Sequence, residues 1–140
     1  MGPALFDSSV YIRELRKGND SVLARTEVEP DEPVWLSAVV LEELYAGAKP
    51  RDTHVLERFQ RDYEKAGRIL VPNLADWAEA GKVLAQVGAE YGYERIGRAR
   101  LTDDALIAMS AARLGITVIT ANERDFALLA RIRPFQWSLE

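Results

Sequence analysis

Short apolar runs, several rich in branched residues, recur along this chain, and each is separated from the next by a longer stretch with helical periodicity. The runs are Ala4-Leu5-Phe6, Val34-Trp35-Leu36, Arg68-Ile69-Leu70-Val71-Pro72 and Ile116-Thr117-Val118-Ile119-Thr120, the last being the richest in β-branched side chains. Runs this short, with little polar alternation, suit strands buried on both faces, which means a parallel sheet covered by helices. The stretches between them predict helices over residues 10–17, 38–48, 52–66, 74–91 and 105–114, with a short one over 125–130 and a further helical surface at 22–27. Boundary signals agree: Ser37 and Asn73 are good N-caps, while Gly67 and Gly115 suit the positions just past a helix end. In the 74–91 helix, Trp77, Gly81, Leu84 and Val87 or Gly88 fall on one face; residues 91–100 read as a loop, and Phe135-Gln136-Trp137 as a closing edge strand. Strands alternating with helices make βαβ units, so the expectation is an α/β fold filling residues 1–140 as one domain.

Composition narrows the function. The chain has 140 residues, 48% of them hydrophobic, and no cysteine, which excludes disulfides, thiolate metal ligands and a thiol nucleophile. Its apolar start is too short for a secretory h-region and lacks a basic flank, and no run approaches membrane-spanning length, so a cytoplasmic protein is expected. The net charge of -4 argues against a broad polyanion-binding face. Its distribution is uneven, however: from Arg95 to Arg133 seven arginines face four acids, a candidate positive rim. The one histidine, His54, sits in a charged run and reads as a surface residue, and neither phosphate-binding loops nor zinc-protease spacings occur.

Four acids fall where an open parallel sheet places its ligands, beyond the carboxyl ends of the strands. Asp7 directly follows the first strand, Glu43 lies one turn into the helix after the second, Asp104 opens a helix, and Asp125 follows the Ile116 to Thr120 strand. Glu43 and Asp104 have apolar neighbours, and a carboxylate there is costly unless paired or bound to a cation. Converging carboxylates without basic partners suit a hard divalent ion, Mg²⁺ or Mn²⁺, with oxygen ligands. That ion activates water and screens phosphate charge, so the chemistry points to phosphodiester hydrolysis. Ser8 and Ser9 fit as donors that orient Asp7 or its water, and Thr120 and Asn122 join them as residues that orient site or substrate.

In order and spacing, four segments resemble the PIN-domain ribonucleases, and among them the VapC toxins of type II toxin-antitoxin modules. They are Leu5-Phe6-Asp7-Ser8-Ser9-Val10-Tyr11-Ile12, Ser37-Ala38-Val39-Val40-Leu41-Glu42-Glu43-Leu44-Tyr45-Ala46-Gly47, Asp103-Asp104-Ala105-Leu106-Ile107-Ala108 and Val118-Ile119-Thr120-Ala121-Asn122-Glu123-Arg124-Asp125-Phe126. The resemblance implies a three-layer α/β/α domain with a mainly parallel sheet of about five strands. It implies a Mg²⁺- or Mn²⁺-dependent endoribonuclease whose catalytic and metal-binding acids are Asp7, Glu43, Asp104 and Asp125. In the two doublets it selects Glu43, with Glu42 on the other side of the helix, and Asp104, with Asp103 as a cap. Many such domains carry an acid where this chain has Asn122, so Asp125 is expected to reach metal through water. The resemblance also implies a cognate VapB-like antitoxin, contact with DNA only through that antitoxin, and a homodimer, with the helices over 10–16 and 52–63 as its expected surface. Two other functions fit the same acids: a PIN nuclease for RNA maturation or repair without an antitoxin, and a non-catalytic interaction module.

Overall fold

The computed structural model describes residues 2–18, 33–94, 96 and 101–140. The helical surface expected at 22–27 and the arginines at 95, 98 and 100 lie outside the described residues. Strand β1 (Ala4–Phe6) runs into helix α1 (Ser8–Arg16). Next come β2 (Val34–Ser37), α2 (Ala38–Gly47), a single 3₁₀ turn (Pro50–Asp52), α3 (Thr53–Ala66) and β3 (Ile69–Leu70). Helices α4 (Leu74–Tyr91) and α5 (Leu101–Leu114) then lead to β4 (Thr117–Thr120), α6 (Glu123–Ile132) and β5 (Trp137–Leu139).

The five strands form one sheet in the order β3-β2-β1-β4-β5, and every pairing is parallel. From β1 the chain moves outward through β2 to β3, then returns across the sheet to β4 and continues outward to β5. Parallel crossovers are right-handed, so reversing the direction of travel puts the two sets of helices on opposite faces. Their packing agrees: α2 lies against α1 and α3, while α4, α5 and α6 pack on one another. This is the α/β arrangement the sequence predicts, with a sheet that is wholly rather than mainly parallel.

Local chemistry explains the boundaries. Ser37 ends β2 and caps α2, its Oγ accepting from the Val39 N–H at 3.2 Å. Asn73 and Asp76 form a reciprocal capping box that starts α4, each side chain accepting from the other's backbone N–H at 2.9 to 3.0 Å. Gly67 closes α3 at φ 68°, a left-handed conformation that costs glycine little. The core lies between the helices and the three inner strands, where Leu5, Leu36 and Val118 are buried. An edge-to-face series, Phe6 to Tyr11 to Phe59 to Tyr63, ties β1 and α1 to α3 with ring centroids 5.1 to 6.0 Å apart.

Four expectations need correction. The buried face of α4 carries Asp76, Ala80, Val83 and Val87, not Trp77 and Gly81, which are exposed. The sequence pattern is misleading because one core-facing position holds an acid, Asp76, which Arg113 neutralises at 3.0 Å. Asp103 is not a cap: α5 begins at Leu101, so Asp103 lies in its first turn. The third strand shortens to Ile69–Leu70, and the last moves to Trp137–Leu139, where it pairs with β4.

Candidate active site

The sheet changes direction between β1 and β4, and a crevice at such a point, beyond the carboxyl ends of the strands, is where open α/β sheets bind ligands. Asp7 stands there. Its backbone N–H donates to the Ile119 carbonyl at 3.0 Å, fastening the end of β1 to β4. The residue is only 2% exposed. Its Oδ1 accepts from Ser9 Oγ at 2.5 Å and its Oδ2 from Thr120 Oγ1 at 2.9 Å. Ser9 Oγ in turn accepts from the Ala121 N–H at 3.0 Å, and Thr120 Oγ1 from the Asn122 N–H at 2.8 Å. Two hydroxyls thus lock the carboxylate to the loop after β4. Burial pushes the Asp7 carboxyl above its ordinary range, and the hydrogen bonds from Ser9, Thr120 and the backbone oppose that rise.

Glu43 enters from α2, where Ser8 Oγ donates to its Oε1 at 3.1 Å. Asp104 enters from the first turn of α5. Its carboxyl is pushed up to about 8, first by burial and then by the negative charges of Asp7, Asp125, Glu43 and Asp103. Asp104 is therefore the electrostatic centre of the acids, largely protonated at neutral pH in the absence of a cation. Asp7, Glu43 and Asp104 line one cavity of about 780 Å³ together with Ser8, Ser9 and Asn122.

Asp125 is arranged differently. It is buried, does not line the cavity, and accepts from Asn122 Nδ2 at 2.8 Å. Asn122 caps α6 and is the residue that faces the cavity in its place. Glu42, expected on the far side of α2, also lines the cavity. So do Arg13 and Arg16, which sequence reasoning missed; the signal was the spacing Ser9, Ile12, Arg13, Arg16, one helical stripe of α1 that all faces the cavity. Of the expected arginine rim, none of the described members lines it, and Arg113 and Arg133 are paired with Asp76 and Glu79.

A family model described as the PIN domain matches residues 4–132. The chain belongs to the PIN-domain family. PIN domains are nucleases, hydrolases that act on nucleic acids, and generally use divalent metals. Solved structures with the same fold include the DNA-bound VapBC of Salmonella typhimurium, at 21% identity and a TM-score of 0.68, covering 99% of this chain and 98% of that one. VapBC-1 of nontypeable Haemophilus influenzae matches at 22% identity and a TM-score of 0.59 over 99% and 97% of the two chains. VapBC2 of Rickettsia felis, bound to a DNA fragment from its promoter, matches at 19% identity and a TM-score of 0.61 over 100% and 99%. Among curated proteins none matches this PIN domain in sequence.

Whether the PIN site suits a divalent ion can be judged from its own atoms. Among the described residues no three acids are already grouped so as to hold an ion. The donors are all oxygens, and mutual repulsion at Asp104 is the conflict a hard cation removes. The donor chemistry fits, with side-chain adjustment needed to close the carboxylates on the ion. No helix among the described residues is long and apolar enough to cross a membrane.

Proposed function

We propose that this PIN domain is the toxin of a type II toxin-antitoxin module, an endoribonuclease that hydrolyses RNA phosphodiester bonds with Mg²⁺ or Mn²⁺. The reading rests on one observation above all: Asp7, Glu43 and Asp104 line a single cavity at the β1/β4 switch point, with Asp104 raised by burial and by the acids around it. Asp7, Glu43 and Asp104 hold the ion, and Asp125 acts behind Asn122. The bound ion supplies a water of lowered pKa and offsets charge on the phosphate under attack. The protein's own part is positional. Ser9 and Thr120 fix both oxygens of Asp7, Ser8 fixes one oxygen of Glu43, and Asp104 gives up its proton when a cation arrives.

The toxin part of the reading is supported by fold likeness to VapBC complexes, two of them DNA-bound. By that analogy a VapB-like antitoxin covers this site, DNA is reached only through the antitoxin, and the chain is a cytoplasmic homodimer. Substituting Asp7→Asn or Asp104→Asn should abolish both Mn²⁺-dependent RNA cleavage and growth inhibition on induced expression; full activity in either variant would sink the proposal. Rescue of growth by a small neighbouring gene encoding a DNA-binding protein separates a toxin from a maturation nuclease on the same fold.

A further inference from the structure

Five acids line the cavity: Asp7, Glu42, Glu43, Asp103 and Asp104. A nucleic-acid backbone entering it meets repulsion on the α2 and α5 sides. The opposite wall is α1, where Arg13 and Arg16 lie three residues apart on the stripe that includes Ser9 and Ile12. The Arg13 side chain is 35% exposed, and its Nε is buried without a hydrogen-bond acceptor; the nearest carboxylate oxygen in an ion pair with it, on Glu14, is 4.0 Å away. Its Nη2 lies 3.2 Å from Glu140 Oε2. Glu140 is carried there by the sheet, since its backbone N–H donates to the Thr120 carbonyl at 2.9 Å, at the strand end where the site is built. The Arg13 guanidinium, which lines the cavity, therefore holds a carboxylate through Nη2 while its Nε is turned inward without an acceptor.

We infer that Arg13 and Arg16 form the phosphate-binding wall of the site, gripping the backbone of the RNA beside the bond to be cut, and that Glu140 occupies the Arg13 fork until phosphate displaces it. This rests on the nuclease reading and adds the residues that hold its substrate. A planar fork matches phosphate oxygens in a bidentate fashion, which a lysine does not. A half-exposed ion pair such as Arg13 to Glu140 is weak enough to exchange. Contacts of this kind position a strand without reading its bases, so sequence preference has to come from elsewhere on the molecule.

The test is fluorescence anisotropy of a fluorescein-labelled single-stranded RNA with the whole protein in EDTA, across a range of salt concentrations. Arg13→Gln should weaken binding about five- to tenfold and lower the salt slope by about 0.7, the value for one phosphate contact on a single strand. Arg16→Gln should act in the same direction, Arg13→Lys should restore the slope but not the full affinity, and Glu140→Gln should tighten binding about two- to threefold, the scale of a weak exposed ion pair. Arg131→Gln, on exposed α6 surface away from the cavity, should change nothing. Wild-type affinity in both arginine variants, an equal loss in Arg131→Gln, or no binding by the wild type overturns the inference. Wild-type cleavage in Mn²⁺ is followed in parallel: the expected binding series without cleavage breaks the nuclease reading and leaves the wall standing, and cleavage with an unchanged series does the reverse.

Discussion

Ser9 joins Asp7 to the Ala121 backbone with a single oxygen, donating at 2.5 Å and accepting at 3.0 Å. Removing it leaves Asp7 with one hydroxyl donor, so Ser9→Ala should lower kcat about tenfold, roughly 1.4 kcal/mol, with little change in KM. Its circular-dichroism spectrum should match the wild type. Asp104, raised to about 8, must release its proton to bind a cation, so titrating Mn²⁺ at pH 7 in buffers of different ionisation enthalpy should report close to one proton released per ion. The same titration of Asp104→Asn should show none. Asp7, Glu43 and Asp104 were legible in the sequence because Asp7 follows an apolar run, Glu43 sits within one and Asp104 directly precedes one, where an unpaired acid demands a reason. Arg13 and Arg16 were not, since a charge on an amphipathic helix ordinarily faces solvent. Asp125 was legible as an acid near the site, but its retreat behind Asn122 depends on side-chain geometry that spacing does not encode.

Helix α4 shows where element-level signals carry and where they fail. Its start was readable from Asn73, and its capping box should make Asn73→Ala destabilising by about 1 kcal/mol in chemical denaturation. Its buried face was not readable, because Trp77, 57% exposed, looks like core and Asp76, 3% exposed, looks like surface. What reverses them is Arg113, which reaches from the last turn of α5 and donates through Nε to both Asp76 oxygens at 3.0 Å. Arg113→Ala strands a buried carboxylate and should cost about 2 kcal/mol, less than breaking a fully buried pair because the arginine itself is one-third exposed. Arg113→Lys should recover only part, since an ammonium cannot copy the fork. If Asp76→Asn removes most of the penalty in the Arg113→Ala background, the buried charge is the cause.

At the scale of the whole molecule, strand count and alternation announced an α/β fold, while the order β3-β2-β1-β4-β5 and the cavity it opens followed only from assembly. Convergence of acids at that cavity makes stability depend on pH. Unfolded, Asp104 ionises near its ordinary 3.8; folded, it keeps its proton to about 8. Between those values the unfolded chain binds fewer protons, so this group's contribution to stability falls as pH rises and levels off above 8. Asp7, raised in the same direction, adds to the trend. In EDTA the wild type should melt lower at pH 8 than at pH 5. Asp104→Asn should remove much of that difference, raising the melting temperature at pH 8 by about 5 °C. Equal pH profiles for the two proteins would show that neither burial nor the neighbouring acids raise the Asp104 carboxyl.

The bond from Thr120 Oγ1 to Asp7 Oδ2 spans 113 residues of sequence. Such a contact forms only after the entropy of closing a very long loop has been met, and its parts leave a ribosome far apart in time. Asp7 is made long before Thr120, and although Ser9 lies beside it, its Oδ2 has no partner until β4 is synthesised, released and zipped against β1. A nuclease built this way cannot complete its site on the ribosome before β4 has been translated and paired with β1.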